Sequence, residues 1–269
     1  MAVGGRDYRR RMRFLLSVPP FTEPAVVVAW AREAEAHGWD GFFLWDHLSW
    51  DGKVEVHDPW VLLGAIAART TRIRIGTMVT PVSRRRPQVL AKHLTTLDHL
   101  SGGRVTVGIG LGDPPDLDFS DFGDEPSYRE RGAITDEALT VLGDLLGDGR
   151  STFHGRHLEV TTSLRPLPVQ RPRVPIWIAG RHPSTRPLAR AKRWDGYAPL
   201  LPDTLDPAGI AAYVGERPRD DWDLVVPWTE TSTIEEYAAA GVTWLVRSVW
   251  PHEDGWRDEL EQLVAAPPT

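Results

Sequence analysis

The chain alternates short apolar runs with longer stretches in which apolar residues return every three or four positions. The short runs are 13–18 (RFLLSV), 41–45 (GFFLW), 73–79 (IRIGTMV), 104–109 (RVTVGI), 175–179 (PIWIA), 196–200 (GYAPL), 223–228 (DLVVPW) and 242–248 (VTWLVRS). They are mostly apolar throughout, as strands covered on both faces are. Between them the period becomes helical. Val27, Trp30, Ala31 and Ala34 share one face of a first helix, with Thr22 as its cap and Gly38 at its end. Asp58-Pro59 opens a second, a cap followed by proline where the missing N–H does no harm. Leu90, Leu94 and Leu97 mark a third, which stops at Ser101-Gly102-Gly103. Ile134, Ala138, Val141, Leu142 and Leu145 mark a fourth, and shorter helices are expected near 184–194, 206–214, 232–240 and 254–265.

Eight strand–helix units in 269 residues predict a single-domain α/β fold, a TIM (β/α)8 barrel, over residues 12–269. An open doubly wound sheet uses the same alternation with fewer strands. Residues 1–11 are polar and basic and read as a disordered leader. Residues 148–172 break the rhythm and read as an excursion outside the barrel, a hairpin ending in a proline-rich connector. Arg72 and Arg74 alternate with Ile73 and Ile75 in a strand that should be buried, so they are expected at the barrel bottom, paired with carboxylates.

Composition narrows the function classes. A net charge of −6 gives no support to nucleic-acid binding. The absence of cysteine excludes disulfides, thiolate metal sites and a cysteine nucleophile, and fits a cytoplasmic location. No apolar run approaches the roughly 20 residues of a membrane span. His154, His157 and Glu159 resemble a metal cluster on paper, but positions three apart on a strand face opposite ways, so no metal is expected. Neither a P-loop nor a G-x-S-x-G elbow is present.

The stretch RVTVGIGLGD (104–113) carries Gly108, Gly110 and Gly112 and poses a choice. A dinucleotide fingerprint needs a helix to start within its glycines. Here Pro114-Pro115 and an acidic run follow, and nothing helical begins until about Tyr128. The glycines read instead as the C-terminal end of a barrel strand that a ligand approaches closely. The acidic loop 113–125 reads either as a mobile cover over the site or as a solvated connector; as a cover it would disfavour anionic substrates.

The order of DP, RIRIGT, VTP, RRP, TLDHLSGGR and VGIGLG within residues 58–112 resembles the bacterial luciferase-like superfamily of flavin- or F420-dependent oxidoreductases. GFFLWDHL (41–48), PIWIAGRHPSTRPLARAKRWDGYAP (175–199) and AGVTWLVRSVWP (240–251) are similar to its histidine, phosphate-binding and final-strand segments. The stretch after Gly180 is shorter than is usual in that superfamily, so substrate class does not carry over. The resemblance implies a monooxygenase that uses reduced FMN and oxygen on a small organic substrate, with NAD(P)H as reductant, a separate flavin reductase and a homodimeric state as further expectations. F420-dependent hydride transfer is the alternative, and a non-catalytic flavin-binding protein on the same barrel is the alternative of another class.

The resemblance implies His47 as the catalytic histidine near the ring, and histidine's titration near neutral pH suits proton transfer. Asp46 beside it is expected to orient the loop or the imidazole. Thr77, Met78 and Thr80 end the third strand, where relatives carry a backbone bend or cis peptide against the ring; Thr77 and Thr80 are expected to offer hydroxyls to it. Gly180, Arg181, His182 and Ser184 form a strand–glycine–turn–helix start with free N–H groups, expected to hold a phosphate. Arg84-Arg85-Arg86 reads as a solvated basic run or as a guide for NADPH or the acidic tail of F420. Trp45, Trp177, Trp228, Trp244 and Trp250 read as either pocket walls or core.

Overall fold

A computed structural model describes residues 12–52, 54–229, 231–251 and 255–266. The leader expected over 1–11 lies outside them. In chain order the strands are β1 (Arg13–Val18), β2 (Gly41–Leu44), β3 (Arg74–Pro81), β4 (Val105–Gly110), β5 (Arg150–His154), β6 (Glu159–Ser163), β7 (Ile176–Arg181), β8 (Gly196–Leu200), β9 (Asp223–Pro227) and β10 (Trp244–Ser248). Eight of them close a parallel barrel in the order β1-β10-β9-β8-β7-β4-β3-β2. The protein is therefore a TIM barrel, and all eight expected strands belong to it. β5 and β6 pair antiparallel, with Arg150 opposite Ser163, and form the hairpin expected within 148–172. Glu137 fixes its turn by accepting the backbone N–H groups of Arg156, His157 and Leu158.

The helices are α1 (Pro24–Ala36), α2 (Pro59–Ala67), α3 (Pro87–Ser101), α4 (Tyr128–Gly147), α5 (Thr185–Ala191), α6 (Pro207–Val214), α7 (Ile234–Ala239) and α8 (Trp256–Ala265). Asp58 caps α2 through Val61 N–H at 2.9 Å, and Gly102 ends α3 in the left-handed region at φ 65°. The expected cap at Thr22 is replaced. Glu23 is the cap position of α1, without a side-chain hydrogen bond, and the Thr22 hydroxyl donates to the Glu23 carboxylate instead.

Alternation along each strand separates two apolar layers. Leu16, Phe42, Ile75, Val107, Ile178 and Leu245 face the helices within the main core, whereas Leu15, Phe43, Trp177, Val225 and Trp244 fill the barrel itself. Phe43 stacks on Trp177 at 5.3 Å, and Trp177 meets Trp244 edge-on at 5.4 Å. Trp177 and Trp244 are thus core rather than pocket wall. Glycines make room for them. A Cβ on Gly196 would lie 2.6 Å from the Trp177 ring, and one on Gly41 would lie 2.5 Å from Leu15 and 3.2 Å from Trp244.

At the bottom a polar layer closes the barrel. Asp223 pairs with Arg13 at 2.5 Å and accepts from Trp177 Nε1 at 3.2 Å and Thr243 Oγ1 at 3.0 Å. Arg74 lies in this layer, as expected, but its hydrogen bonds go to Thr106 Oγ1 (2.6 Å) and the Val105 carbonyl (3.2 Å), because Arg13 holds the carboxylate. Burial first, then the charge of Arg13, lowers its pKa. Arg72 is exposed and donates its guanidinium to the Glu35 carbonyl; the Glu35 carboxylate is taken up by the backbone N–H groups of Thr71, Arg72 and Ile73. Among the described residues neither arginine makes the expected ion pair.

Two glycine substitutions should separate packing from propensity. A Cβ on Gly76 would meet the Thr106 carbonyl at 1.8 Å, whereas one on Gly64 in α2 meets nothing within 4 Å outside its own helix. Gly76→Ala is expected to destabilise by at least about 1–3 kcal/mol, the scale of overpacking. Gly64→Ala is expected to stabilise by up to about 1 kcal/mol. Urea unfolding of the two variants checks both signs.

Candidate active site at the C-terminal mouth

Parallel strands bring all eight C-terminal ends to one face. The loop after β2 carries Asp46 and His47 there. Asp46 is buried and fully engaged: it accepts from Trp60 Nε1 (3.1 Å), Thr80 Oγ1 (2.8 Å), Arg85 Nε (3.1 Å) and Arg85 Nη2 (2.6 Å). Arg84 adds an ion pair at 3.4 Å and donates to the Asp46 carbonyl. Asp46 therefore holds the loop and the start of α3, and the imidazole is oriented by another residue.

That residue is Asp118. His47 Nδ1 lies 2.7 Å from Asp118 Oδ2, while Leu48 and Ser49 N–H groups donate to Oδ1 at 2.8 and 3.2 Å and Arg84 Nη1 pairs at 3.0 Å. A carboxylate acceptor requires the proton on Nδ1. This leaves Nε2, which makes no hydrogen bond to a described residue, as the working nitrogen. Burial of Asp118 opposes its ionisation, but the hydrogen bond from His47, the charges of Arg84 and His47 and the Leu48 N–H outweigh it and lower its pKa.

Asp118 belongs to the acidic loop 113–125, and its burial overturns both sequence readings for the middle of that loop. The middle of the loop is neither a solvated connector nor a loose cover. Phe119 is buried, with the Arg131 guanidinium 3.7 Å from its ring centroid and that of Arg84 at 5.4 Å. Arg84 and Arg85 are also corrected. They are largely buried ion-pair partners of Asp46 and Asp118, which leaves only Arg86 exposed at the surface. The apolar Leu117 and Phe119 within an acidic run were the available signal for this anchoring.

The Met78–Val79 peptide is cis, and the β3–β4 register shifts between Thr77 and Thr80. The backbone irregularity expected from the resemblance is present. The hydroxyls are not offered to the mouth: Thr77 and Thr80 are fully buried, 2.9 Å apart, and Thr80 continues to Asp46. Met78 and Val79 are instead partly exposed.

The strand-end glycines are filled by the chain itself. A Cβ on Gly108 would meet the Thr77 carbonyl at 2.5 Å, one on Gly110 would meet Val79 Cγ2 at 2.6 Å, and one on Gly112 would meet Phe119 at 2.7 Å and Pro81 at 2.9 Å. They admit the β3 irregularity and the anchored loop. Gly180 is directed at α5, where a Cβ would meet Pro187 at 2.2 Å. Ser184 stands at the α5 start without a side-chain cap bond, its carbonyl accepts from Tyr213 Oη at 2.7 Å, and His182 packs edge-on against Tyr213 at 4.7 Å. Arg181 is exposed and pairs with Asp113 at 3.3 Å. Of the phosphate set, Arg181 is the side chain that presents a charge at the rim.

Two unlike walls result. On the β3, β4 and β7 side the partly exposed rim residues are short or apolar: Met78, Val79, Leu111, Gly112 and Ala179. Opposite them His47 is surrounded by rings, with Trp50 at 5.0 Å, Trp45 at 5.9 Å and Phe21 at 6.3 Å; Trp250 meets Trp45 at 5.2 Å. Of the tryptophans read as either wall or core, Trp250 is half exposed at the mouth, Trp45 is buried against it, and Trp228 packs toward Phe14 and the core. Phe21 and Trp50 were not singled out from sequence.

The family model for luciferase-like monooxygenases matches residues 12–216. The chain belongs to that family. An F420-dependent glucose-6-phosphate dehydrogenase of Microbacterium testaceum is 34% identical over 72% of this chain, which spans 60% of that relative's length. Among solved structures, the coenzyme F420-dependent tetrahydromethanopterin reductase of Methanopyrus kandleri aligns with a TM-score of 0.74 at 17% identity, covering 94% of this chain and 97% of that one. The FMN-bound oxygenating component of 3,6-diketocamphane monooxygenase of Pseudomonas putida aligns with a TM-score of 0.66 at 16% identity, covering 81% of this chain and 67% of that one. These structural likenesses show the luciferase-like fold and nothing finer. Among the described residues no helix is long and apolar enough to cross a membrane.

Replacing Asp118 by Asn should release the loop. Loss of one partner of a buried ion pair is expected to destabilise by about 3–5 kcal/mol and to expose 113–125 to limited proteolysis. The folded pKa of Asp118 lies below its unfolded value, so its contribution is complete above about pH 4 and is lost as pH falls through the folded value. Wild-type loop protection should persist at pH 4 and fail below it; the Asn variant should lack that acid step.

Proposed function

We propose that the chain is an oxidoreductase of the luciferase-like family that uses the deazaflavin F420 for hydride transfer between an alcohol and a carbonyl compound. The observation that carries the proposal is the His47–Asp118 pair, which fixes one protonation pattern on an imidazole at the mouth of a luciferase-like barrel. The F420 dependence of the 34%-identical relative favours this cofactor. FMN-dependent oxygenation, the leading expectation from sequence, draws on a neighbour at 16% identity.

The residues fit a flat polycyclic cofactor. The low rim of Met78, Val79, Leu111, Gly112 and Ala179 offers a shelf without bulky or charged side chains, as an apolar ring system requires. Arg181 would hold the phosphate through its charge; the turn adds no donor from His182 or Ser184, whose N–H groups donate to the Leu200 and Arg181 carbonyls, nor from Pro183, which has none. When bound, F420 would supply the redox chemistry, its reduced form giving a hydride to a carbonyl carbon and its oxidised form taking one from an alcohol in the reverse direction. As the carbonyl oxygen gains negative charge it needs a proton, and protonated His47 Nε2 donates it; in the reverse direction neutral Nε2 accepts it. Asp118 keeps the other nitrogen protonated in both states. Trp45, Trp50 and Phe21 shield this exchange from water.

His47→Gln is expected to lower kcat by about 10²–10⁴-fold while F420 affinity changes less than threefold, because a positioned general acid contributes on that order. Fluorescence titration with F420 and with FMN, followed by single-turnover assays, provides the measurements. Tight FMN binding without F420 binding would replace the proposal by the oxygenase reading.

A further inference from the structure

Arg181 already holds an anion of the chain's own. Its Nη2 lies 3.3 Å from Asp113 Oδ2, and the Tyr128 hydroxyl donates to Asp113 Oδ1. One carboxylate from the loop after β4 thus bridges the end of β7 and the start of α4. The guanidinium fork suits carboxylate and phosphate oxygens alike. Asp113 therefore stands where the oxygens of a phosphate on Arg181 would stand.

The bridge is built so that the carboxylate can leave while its backbone stays. A Cβ on Gly112 would meet Phe119 at 2.7 Å and Pro81 at 2.9 Å, so the residue before Asp113 is packed against both. Pro114 and Pro115 follow with fixed φ, and the Pro115 carbonyl accepts from Ser120 N–H at 3.2 Å. Rotation of the Asp113 side chain is enough to clear the site, and the loop anchored by Asp118 need not open. The receiving side is held as well. The Arg181 carbonyl accepts from Ser184 N–H at 2.9 Å, and the next N–H, that of His182, donates to the Leu200 carbonyl at 3.0 Å.

The occupant is replaceable. The Arg181 and Asp113 side chains are 71% and 52% exposed, so water screens their pair, and a phosphate of higher charge competes for the same cation. Burial first, then the hydrogen bond to Asp113, raise the pKa of Tyr128, which keeps its hydroxyl a neutral donor for whichever anion is present. Arg131, fully buried with its guanidinium 4.6 Å from the Tyr128 ring centroid, adds positive charge beside it.

We propose that Asp113 occupies the phosphate position of this site as an internal competitor, and that an incoming phosphate displaces it and takes the Arg181 guanidinium and the Tyr128 hydroxyl as its partners. That the phosphate belongs to a cofactor rests on the function proposed above; the exchange of anions does not. Tyr128 becomes a binding residue, and a ligand without phosphate neither meets the competitor nor gains from its removal. A strap that merely ties the loop to β7 behaves oppositely, because its loss loosens the site for every ligand.

The test is titration of the full chain with inorganic phosphate, followed by phosphorus NMR, and with F420 and its phosphate-free deazariboflavin, followed by fluorescence. Asp113→Asn keeps the shape of the side chain and removes its charge. It should bind inorganic phosphate and F420 at least about threefold more tightly than wild type, with deazariboflavin affinity changed less than about twofold. Asp113→Ser should show the same gain. In the Asp113→Asn background, Arg181→Gln should abolish the gain and Tyr128→Phe should weaken phosphate at least about twofold. Unchanged or weaker phosphate binding in both Asp113 variants, or a gain that survives the loss of Arg181, would overturn the proposal. The gain for inorganic phosphate in a chain that does not bind F420 would uphold the exchange and remove the cofactor assignment. Equal F420 affinity in wild type and Asp113→Asn would remove the exchange and leave the cofactor assignment standing.

Discussion

Two buried carboxylates stand at the mouth of the barrel, and one guanidinium lies between them. Arg84 is 3.4 Å from Asp46 and 3.0 Å from Asp118, and all three side chains are almost wholly withdrawn from solvent. Buried carboxylates without a cation would take up protons or draw in water. With Arg84 in place each has a cationic partner and organises a different loop. Asp46 holds the end of β3 and, through Arg85, the approach to α3; Asp118 holds the loop after β4 and, through His47, the loop after β2. The geometry of the working imidazole therefore depends on a residue that does not touch it.

The barrel was legible in the sequence because its strands are short apolar runs and its helices carry a 3.6-residue period; both are local patterns. The caps at Asp58 and Gly102 were equally local. What escaped was long-range. Arg84 and Arg85 look like part of a solvated triplet until Asp46, 38 and 39 residues earlier, and Asp118 are brought against them. Asp118 sits in a run of aspartates whose other members are largely exposed, and no periodicity marks it as the buried one. The strand-end glycines were recognised as positions of close approach, but the approaching atoms belong to Thr77, Val79 and Phe119. A sequence shows that space is needed without showing what fills it.

The partition between large and small residues inside the barrel has a consequence at the mouth. Phe43, Trp177 and Trp244 are fully buried inside the barrel, so the interior below the mouth is filled. Above it, the rim residues Val79, Leu111 and Ala179 leave one side apolar and low while tryptophans after β2 and β10 raise the other. A cofactor and a substrate laid across such a mouth meet different environments without any change in the barrel below. This is how loop variation on a TIM barrel redirects specificity while the closed sheet stays the same.

The same ionic device is used at both ends with opposite results. At the bottom, Asp223 is saturated by Arg13, Trp177 and Thr243, and nothing is left over for chemistry. At the mouth, Asp118 is saturated by Arg84, Leu48, Ser49 and His47, yet the last of these has a second nitrogen. Imidazole, unlike guanidinium or a backbone amide, can satisfy a buried carboxylate with one atom and still exchange a proton with another. A lysine or arginine at position 47 would balance the charge of Asp118 equally well and would close the site as completely as the bottom is closed. The chemical asymmetry of the molecule is thus carried by whether a partner of the carboxylate keeps a second nitrogen for proton exchange, as His47 does at the mouth and Arg13, Trp177 and Thr243 do not at the bottom.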